Sequence, residues 1–145
     1  KKTHNLLIGD RTAEYIKIKI GAAIPLKDEE FLDVKGRDLI TGLPKTIKLG
    51  SNEVLEAIND SLMQIVNNVK AVLEKTPPEL SADIVDKGIV MTGGGSLIRE
   101  FPKLLSNYTL LPVYLAENAL ESVVLGAGLA LDKLDVLRKI EKMER

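Results

Sequence analysis

Chemistry in this chain is concentrated in one run, Gly88-Ile-Val-Met-Thr-Gly-Gly-Gly-Ser-Leu-Ile-Arg-Glu-Phe-Pro-Lys-Leu-Leu105. Ile89 to Met91 is a short apolar stretch led by β-branched residues, the mark of a buried strand. Gly93, Gly94, Gly95 and Ser96 follow, and Leu97, Ile98, Phe101, Leu104 and Leu105 then recur at helical spacing. A strand that passes through glycines into a helix leaves backbone N–H groups free at the helix start. With no Cβ in the way, a phosphate or sugar can approach them closely. The same pattern suits a tight strand-to-helix turn with no ligand, and an isolated glycine motif does not separate the two. It is not the dinucleotide fingerprint, because Ile98 stands where the last glycine belongs, nor a P-loop, because no Gly-Lys-Ser/Thr follows. A second pair with chemical potential is Glu14 and Lys17, three residues apart on one face of a predicted helix. By spacing alone they form a solvated ion pair worth a few tenths of a kcal/mol, on the order of 0.2–0.5.

The elements that position these residues read as follows. Asn5 to Ile8 is a short strand or the tail of a helix, ended by Gly9. Asp10 is a suitable N-cap for Arg11 to Ile20, closed by Gly21. Ile16, Ile18 and Ile20 alternate as in a strand, but the cap and the Ala-Glu start favour a helix. Ala22 to Leu26, Glu30 to Val34 and Lys45 to Leu49 are expected strands, the last two separated by the loop Gly36 to Pro44. Residues 1–50 therefore make a small α+β lobe, and Ser51 caps the longest helix, Ser51 to Lys75. Val54, Leu55, Ile58, Leu62, Ile65, Val66, Val69, Val72 and Leu73 form its broad apolar stripe, and Thr76-Pro77-Pro78 stops it. A turn or short helix, Glu79 to Val85, leads into the glycine run. Leu111 to Leu115 is a further strand, with Pro112 at its start or at an edge. Asn118 is expected to cap a closing pair of helices. The first holds Gly126 and Gly128, which imply close packing against another helix, or a ligand; the second carries Leu134, Leu137, Ile140 and Met143.

Composition narrows the function classes. The 145 residues suit one modest domain or two small lobes. Hydrophobic content of 45% with only 3% aromatics demands an aliphatic core. A net charge of −1 with interspersed signs argues against a nucleic-acid binder. No cysteine is present, which excludes disulfides and thiolate metal sites, and the single histidine, His4, reads as a solvent residue near a frayed end. No run approaches the length of a membrane span and no signal peptide is visible, so the cytoplasm is the expected compartment. The opening Lys-Lys-Thr-His, without Met, is expected to be a cut through a longer protein. No carboxylate pair, metal set or Ser/His/Asp set stands out, so no catalytic residue and no metal ligand is assigned.

Several strings together resemble the bacterial actin-like MreB proteins and close paralogues such as Mbl. They are Ile8-Gly-Asp-Arg-Thr-Ala-Glu-Tyr-Ile-Lys-Ile-Lys-Ile-Gly21, Gly36-Arg-Asp-Leu-Ile-Thr-Gly-Leu-Pro-Lys-Thr46 and Glu74-Lys-Thr-Pro-Pro-Glu-Leu80. To these are added Asp86-Lys-Gly-Ile-Val-Met-Thr-Gly-Gly-Gly95, Ala116-Glu-Asn118 and Val124-Leu-Gly-Ala-Gly128. The resemblance covers essentially the whole chain. It implies an α/β fold, the actin-like ATPase (ribonuclease H-like) fold, in its C-terminal half only: a small lobe over residues 1–50 and part of the larger lobe over 51–145.

The resemblance also implies ATP or ADP as cofactor, with Mg²⁺ held mainly by an absent N-terminal half. Glu14 and Lys17 would reach ribose and adenine from the small lobe, while Gly93, Gly94 and Gly95 with Ser96 bring backbone against the nucleoside and its phosphates. The family's phosphate hairpins, metal-linked acid and water-positioning residue have no counterpart here, so no meaningful ATP hydrolysis is expected of this chain alone. Further implications are head-to-tail self-assembly into filaments, a RodZ-like membrane protein and the cell-wall elongation machinery as partners, and a cytoplasmic place at the inner face of the membrane. Membrane contact would come only through the N-terminal half. Two other functions stay open: a nucleotide-independent polymerisation and partner-binding module whose glycines serve packing, and a sugar-kinase relative.

Overall fold

The computed structural model describes residues 3–134. Strand β1 (Leu6–Leu7) is the short strand expected before Gly9, and helix α1 (Asp10–Ile20) follows. The helix, not the alternating strand, is what Ile16 and Ile20 build, because both point into one core while Ile18 faces solvent. Its N-cap is Gly9, not Asp10: the amides of Thr12 and Ala13 donate to the Gly9 carbonyl, both at 3.0 Å. Asp10 sits in the first turn, where its charge favours the helix dipole.

The expected strand over Ala22 to Leu26 does not form. Ala22 makes one isolated parallel bridge, to Arg99, and the segment then bends into Pro25. Burial of Ala22 and Ala23, not sheet pairing, accounts for their apolar character. Strand β2 (Phe31–Asp38) runs on through Gly36, past the expected end at Val34, and pairs antiparallel with β3 (Pro44–Gly50) from Phe31↔Gly50 to Arg37↔Pro44. Gly36 is not a loop residue: a Cβ there would come within 2.5 Å of the Leu7 carbonyl, so its absence lets β1 lie alongside β2. The hairpin turn is wired by Asp38, whose Oδ1 accepts the amides of Ile40 and Thr41 at 2.8 and 3.0 Å and whose Oδ2 accepts Lys45 Nζ at 2.9 Å. These bonds hold the Asp38 carboxyl down at about 2, the Lys45 bond being the largest cause.

Helix α2 (Ser51–Glu74) is also capped one residue earlier than expected. Gly50 is the N-cap, and the Glu53 carboxylate reaches back to accept the Gly50 amide at 3.2 Å. Ser51 is instead buried, accepting the Glu30 amide on its Oγ at 3.2 Å. The other carboxylate oxygen of Glu53 accepts from His4 Nε2 at 2.5 Å, so His4 is tied to the head of α2 and is not merely a solvent residue. That bond, with the Gly50 amide, lowers the Glu53 pKa.

Two cores, aliphatic but for Phe101, share α2. Leu6, Ile16, Ile20 and Val34 close the first with Val54 from the first turn of α2. Ala23, Leu62, Val66, Phe101, Leu104 and Leu105 form the second. Pro77 and Pro78 end α2, and α3 (Pro78–Lys87) leads through Gly88 to β4 (Ile89–Met91). Helix α4 (Phe101–Thr109) covers β4 and β5 (Val113–Leu115), which pair in parallel. Pro112 precedes β5, and its carbonyl accepts the Ile89 amide at 2.8 Å. Helix α5 (Ser122–Asp132) starts from Glu121, with Asn118 contributing its carbonyl to Ser122 Oγ and the Glu121 amide instead of a capping side chain. Among the described residues nothing lies within 4 Å of the Cβ position of Gly126 or Gly128, so none of them supplies the close packing expected there. Val123, Val124, Leu129 and Leu131 on α5 are all exposed. Of the expected last helix, Leu134 is described and exposed, while Leu137, Ile140 and Met143 lie outside the described residues.

Candidate functional site

The glycine run does not pass straight from strand to helix. β4 ends at Met91, and Gly94–Leu97 forms a single 3-10 turn. Ile98 is extended, Glu100 is left-handed, and α4 starts only at Phe101. Leu97 and Ile98 therefore belong to the turn and its exit, although their spacing fits the helical stripe. The turn lies beyond the carboxyl end of β4, beside the Ala116–Leu120 loop that leaves the carboxyl end of β5. The two loops are sewn together: Thr92 Oγ1 donates to the Ala119 carbonyl at 3.0 Å, and the Gly93 amide donates to the same oxygen at 2.7 Å. The crevice outside the carboxyl ends of parallel strands is where ligands bind in open α/β sheets.

The three glycines are not equivalent. Gly93 adopts φ 84°, ψ 164°, a conformation closed to side-chain-bearing residues. At Gly94 a Cβ would stand 3.3 Å from Leu120 Cδ2, tight against the neighbouring loop. At Gly95 the backbone is not left-handed and a Cβ would meet nothing within 4 Å, so nothing in the described chain requires glycine there. Gly94 and Gly95 open the 3-10 turn, and the first amides of such a turn have no acceptor within it. Ser96 is buried, and both its donors turn inward: Oγ donates to the Gly93 carbonyl at 2.6 Å and its amide to the same oxygen at 3.1 Å. Ser96 thus holds the shape of the turn, and the outward-facing main chain is that of Gly94 and Gly95.

Glu14 is exposed on α1 and Lys17 is half-buried one turn on; no ion pair joins them. Lys17 lines a cavity of about 270 Å³ between α1, the hairpin sheet and the head of α2, with Ile8, Ile16, Val54 and the His4–Glu53 pair among its walls. Glu14 does not line it, and neither do the glycines. Gly93 to Ser96 thus come together in one turn and Glu14 with Lys17 on one helix, and the connection between the two groups is Arg99, whose main chain bridges to Ala22 and Ala23 just beyond α1. Thr92, Ala119 and Arg99 were not singled out from the sequence. Thr92 directly precedes the glycines and could have been noticed; Ala119 and Arg99 carry no local signal, since their partners are distant in the chain.

Comparison with known proteins supplies the context. The sequence model of the family described as MreB/Mbl protein matches residues 1–139. The cell shape-determining protein Mbl of Bacillus subtilis (strain 168) is 48% identical over 139 residues, covering 96% of this chain and 42% of that protein. The cell shape-determining protein MreB of Escherichia coli (strain K12) is 43% identical over 136 residues, covering 94% of this chain and 39% of that one. Among solved structures, MreB5 of Spiroplasma citri bound to AMPPNP superposes with a TM-score of 0.88 at 34% identity, covering 97% of this chain and 42% of that one. The same protein bound to ADP matches equally well. A chain of the MamK double helical filament, 20% identical with a TM-score of 0.66, shares the fold. The chain therefore spans about two fifths of the length of the relatives it matches.

Proposed function

This chain belongs to the MreB/Mbl family and carries part of the actin-like fold, and from that premise we propose that it forms one side of an adenine-nucleotide site in a protein that helps determine cell shape. Gly94 and Gly95 offer main-chain amides to the nucleoside and its phosphates, Gly93 and Ser96 set the turn, and Glu14 and Lys17 approach ribose and adenine from the small lobe. The observation that carries this reading is Gly95, a glycine that neither backbone conformation nor packing requires, at the mouth of two parallel strands. That MreB5 of Spiroplasma citri is bound to AMPPNP or ADP supports it by likeness. No group of three acidic or histidine side chains among the described residues is placed to hold a metal. Mg²⁺ bound with the nucleotide would depend mainly on residues beyond this chain, as would hydrolysis.

The division into a small lobe, 1–50, and part of a larger lobe, 51–145, belongs to the same proposal. It is supported by the two cores, with Val54 the residue of α2 that reaches back into the first. Head-to-tail filaments, RodZ-like and elongation-machinery partners and a place under the membrane are further parts of it. Among the described residues no helix is long and apolar enough to cross a membrane. Nucleotide affinity of the full-length polypeptide carrying these residues, and of its Gly94→Val and Glu14→Ala variants, tests the site. Unchanged affinity in both variants would remove it.

A second reading has its own observation. The hairpin tip exposes Leu39, Ile40 and Leu43, with Ile40 77% accessible, as a surface for a partner or another subunit. Sedimentation that shows self-association indifferent to ATP would favour a nucleotide-independent polymer module.

A further inference from the structure

Arg99 lies just beyond the 3-10 turn, where the chain passes the end of α1. Its guanidinium forms a two-pronged bond with Glu30, Nη1 to Oε1 at 2.6 Å and Nη2 to Oε2 at 2.9 Å. Nη2 also donates to the Lys19 carbonyl at 2.8 Å, and Nε to the Gly21 carbonyl at 3.4 Å. The Lys19 carbonyl belongs to the last turn of α1 and Gly21 is its C-cap, the end of a helix that lacks intrahelical donors and favours a cation. The main chain repeats the stitch, the Ala23 amide donating to the Arg99 carbonyl at 2.8 Å. Glu30 is itself fixed, its carbonyl accepting the Ser51 amide at 2.8 Å and its amide donating to Ser51 Oγ. One side chain thus gathers the exit of the glycine turn, the end of α1 and the head of α2.

We infer that Arg99 is a positioning residue: through Glu30 and the carbonyls of Lys19 and Gly21 it sets the spacing and angle between α1 and the glycine turn. These are the two elements that carry Lys17 with Glu14 and Gly93 to Gly95. Counted back from Lys19 along the helix, Lys17 is about 3 Å away and Glu14 about 7.5 Å, at a rise of ~1.5 Å per residue. A change at Arg99 is therefore passed to both with little slack. Lysine cannot substitute, because the contact needs several donors in a rigid planar fork aimed at a carboxylate and two carbonyls. Both partners remain partly accessible, at 36% and 47%, so the contact adds little to stability, and its consequence is geometry. The consequence for nucleotide rests on the function proposed above; the geometric role does not.

The chain has no cysteine, so a labelled pair can be introduced cleanly at exposed sites on α1 and α4, Arg11→Cys and Asn107→Cys. Pulsed electron-spin distance measurements then compare this background with Arg99→Lys, Arg99→Ala and Glu30→Gln. A single narrow distribution is expected in the background, with at least a twofold broadening in Arg99→Ala and Arg99→Lys at a nearly unchanged thermal midpoint. Glu30→Gln should broaden it less, because the carbonyl bonds stay. An unchanged distribution in a folded Arg99→Ala overturns the inference. If that variant does not fold, an unchanged distribution in both Arg99→Lys and Glu30→Gln does so. No nucleotide enters this measurement, so a chain that binds none would still show the clamp. In the full-length polypeptide, Arg99→Ala is expected to weaken ADP binding about tenfold; wild-type binding with no loss in the variant would confine Arg99 to geometry alone and refute its link to the site.

Discussion

Replacing Gly95 and Gly88 separately by alanine distinguishes a glycine kept for something outside the chain from one kept for the fold. Gly88 adopts φ 76°, ψ −167°, which costs a side-chain-bearing residue about 1–3 kcal/mol. An alanine Cβ there would also stand 2.5 Å from the Pro112 carbonyl oxygen and 2.9 Å from Tyr114 Cε2. That oxygen cannot retreat without loosening its 2.8 Å bond from the Ile89 amide, worth about 1 kcal/mol. Gly88→Ala should therefore cost about 3 kcal/mol, a fall in thermal midpoint of about 6–12 °C for a chain of this size. At Gly95 no atom stands within 4 Å of the new Cβ and the backbone is not left-handed. Gly95→Ala should leave stability within about 1 kcal/mol, tending upward because alanine has less freedom to lose on folding. Thermal melts of the two variants followed by circular dichroism, paired with nucleotide titration of the full-length polypeptide, make the test. The expected result is a stable Gly95→Ala that binds nucleotide more weakly. A Gly95→Ala as destabilised as Gly88→Ala would show that glycine there serves packing, and the observation behind the proposed site would fall.

Three other outcomes are expected. Leu62, 2% exposed in the second core, should cost about 2–5 kcal/mol when replaced by alanine, read from urea midpoints at constant slope. Leu110 ends α4 at φ 58°, ψ 22° with 89% of its surface exposed, so Leu110→Gly relieves left-handed strain and should raise stability by about 1 kcal/mol; an unchanged melt would count against that strain. The Asp38 carboxyl lies at about 2 in the folded chain against an ordinary 3.8, so the fold favours its ionised form. Its contribution is complete above pH 3.8 and disappears as pH falls through about 2, and Asp38→Asn should remove that part of the acid dependence of the hairpin.

Much of the secondary structure was legible because its signals are local. The place of α2, its proline stop, the α1 helix and the β4 and β5 strands all arise from patterns within a few residues. Burial does not, since Val90, read as the middle of a buried strand, is 63% exposed, and Ile65 and Val72 of the α2 stripe also face outward. Boundaries failed where a glycine's role was tertiary: Gly36 looks like a loop opener, but it is the place where β1 passes β2. Asp10 and Ser51 look like caps, yet each cap falls one residue earlier, on Gly9 and Gly50, leaving Ser51 to bind Glu30. Ala22 and Ala23 look like a strand because burial and sheet pairing demand the same apolar residues.

By its residues alone the chain determined its family and a largely aliphatic core, and it marked Gly93 to Ser96 as a turn that a ligand could approach; Glu14 with Lys17 was singled out as a ligand contact only through the family resemblance. These depend on residue type and short spacing, which a linear string contains. Only the tertiary structure decided that Ser96 faces inward, that Gly95 has open space before it, and that Arg99 joins the glycine turn to α1 across some eighty positions. Such features depend on which distant backbone atoms meet, and no local periodicity encodes the partner of a carbonyl at the end of another helix.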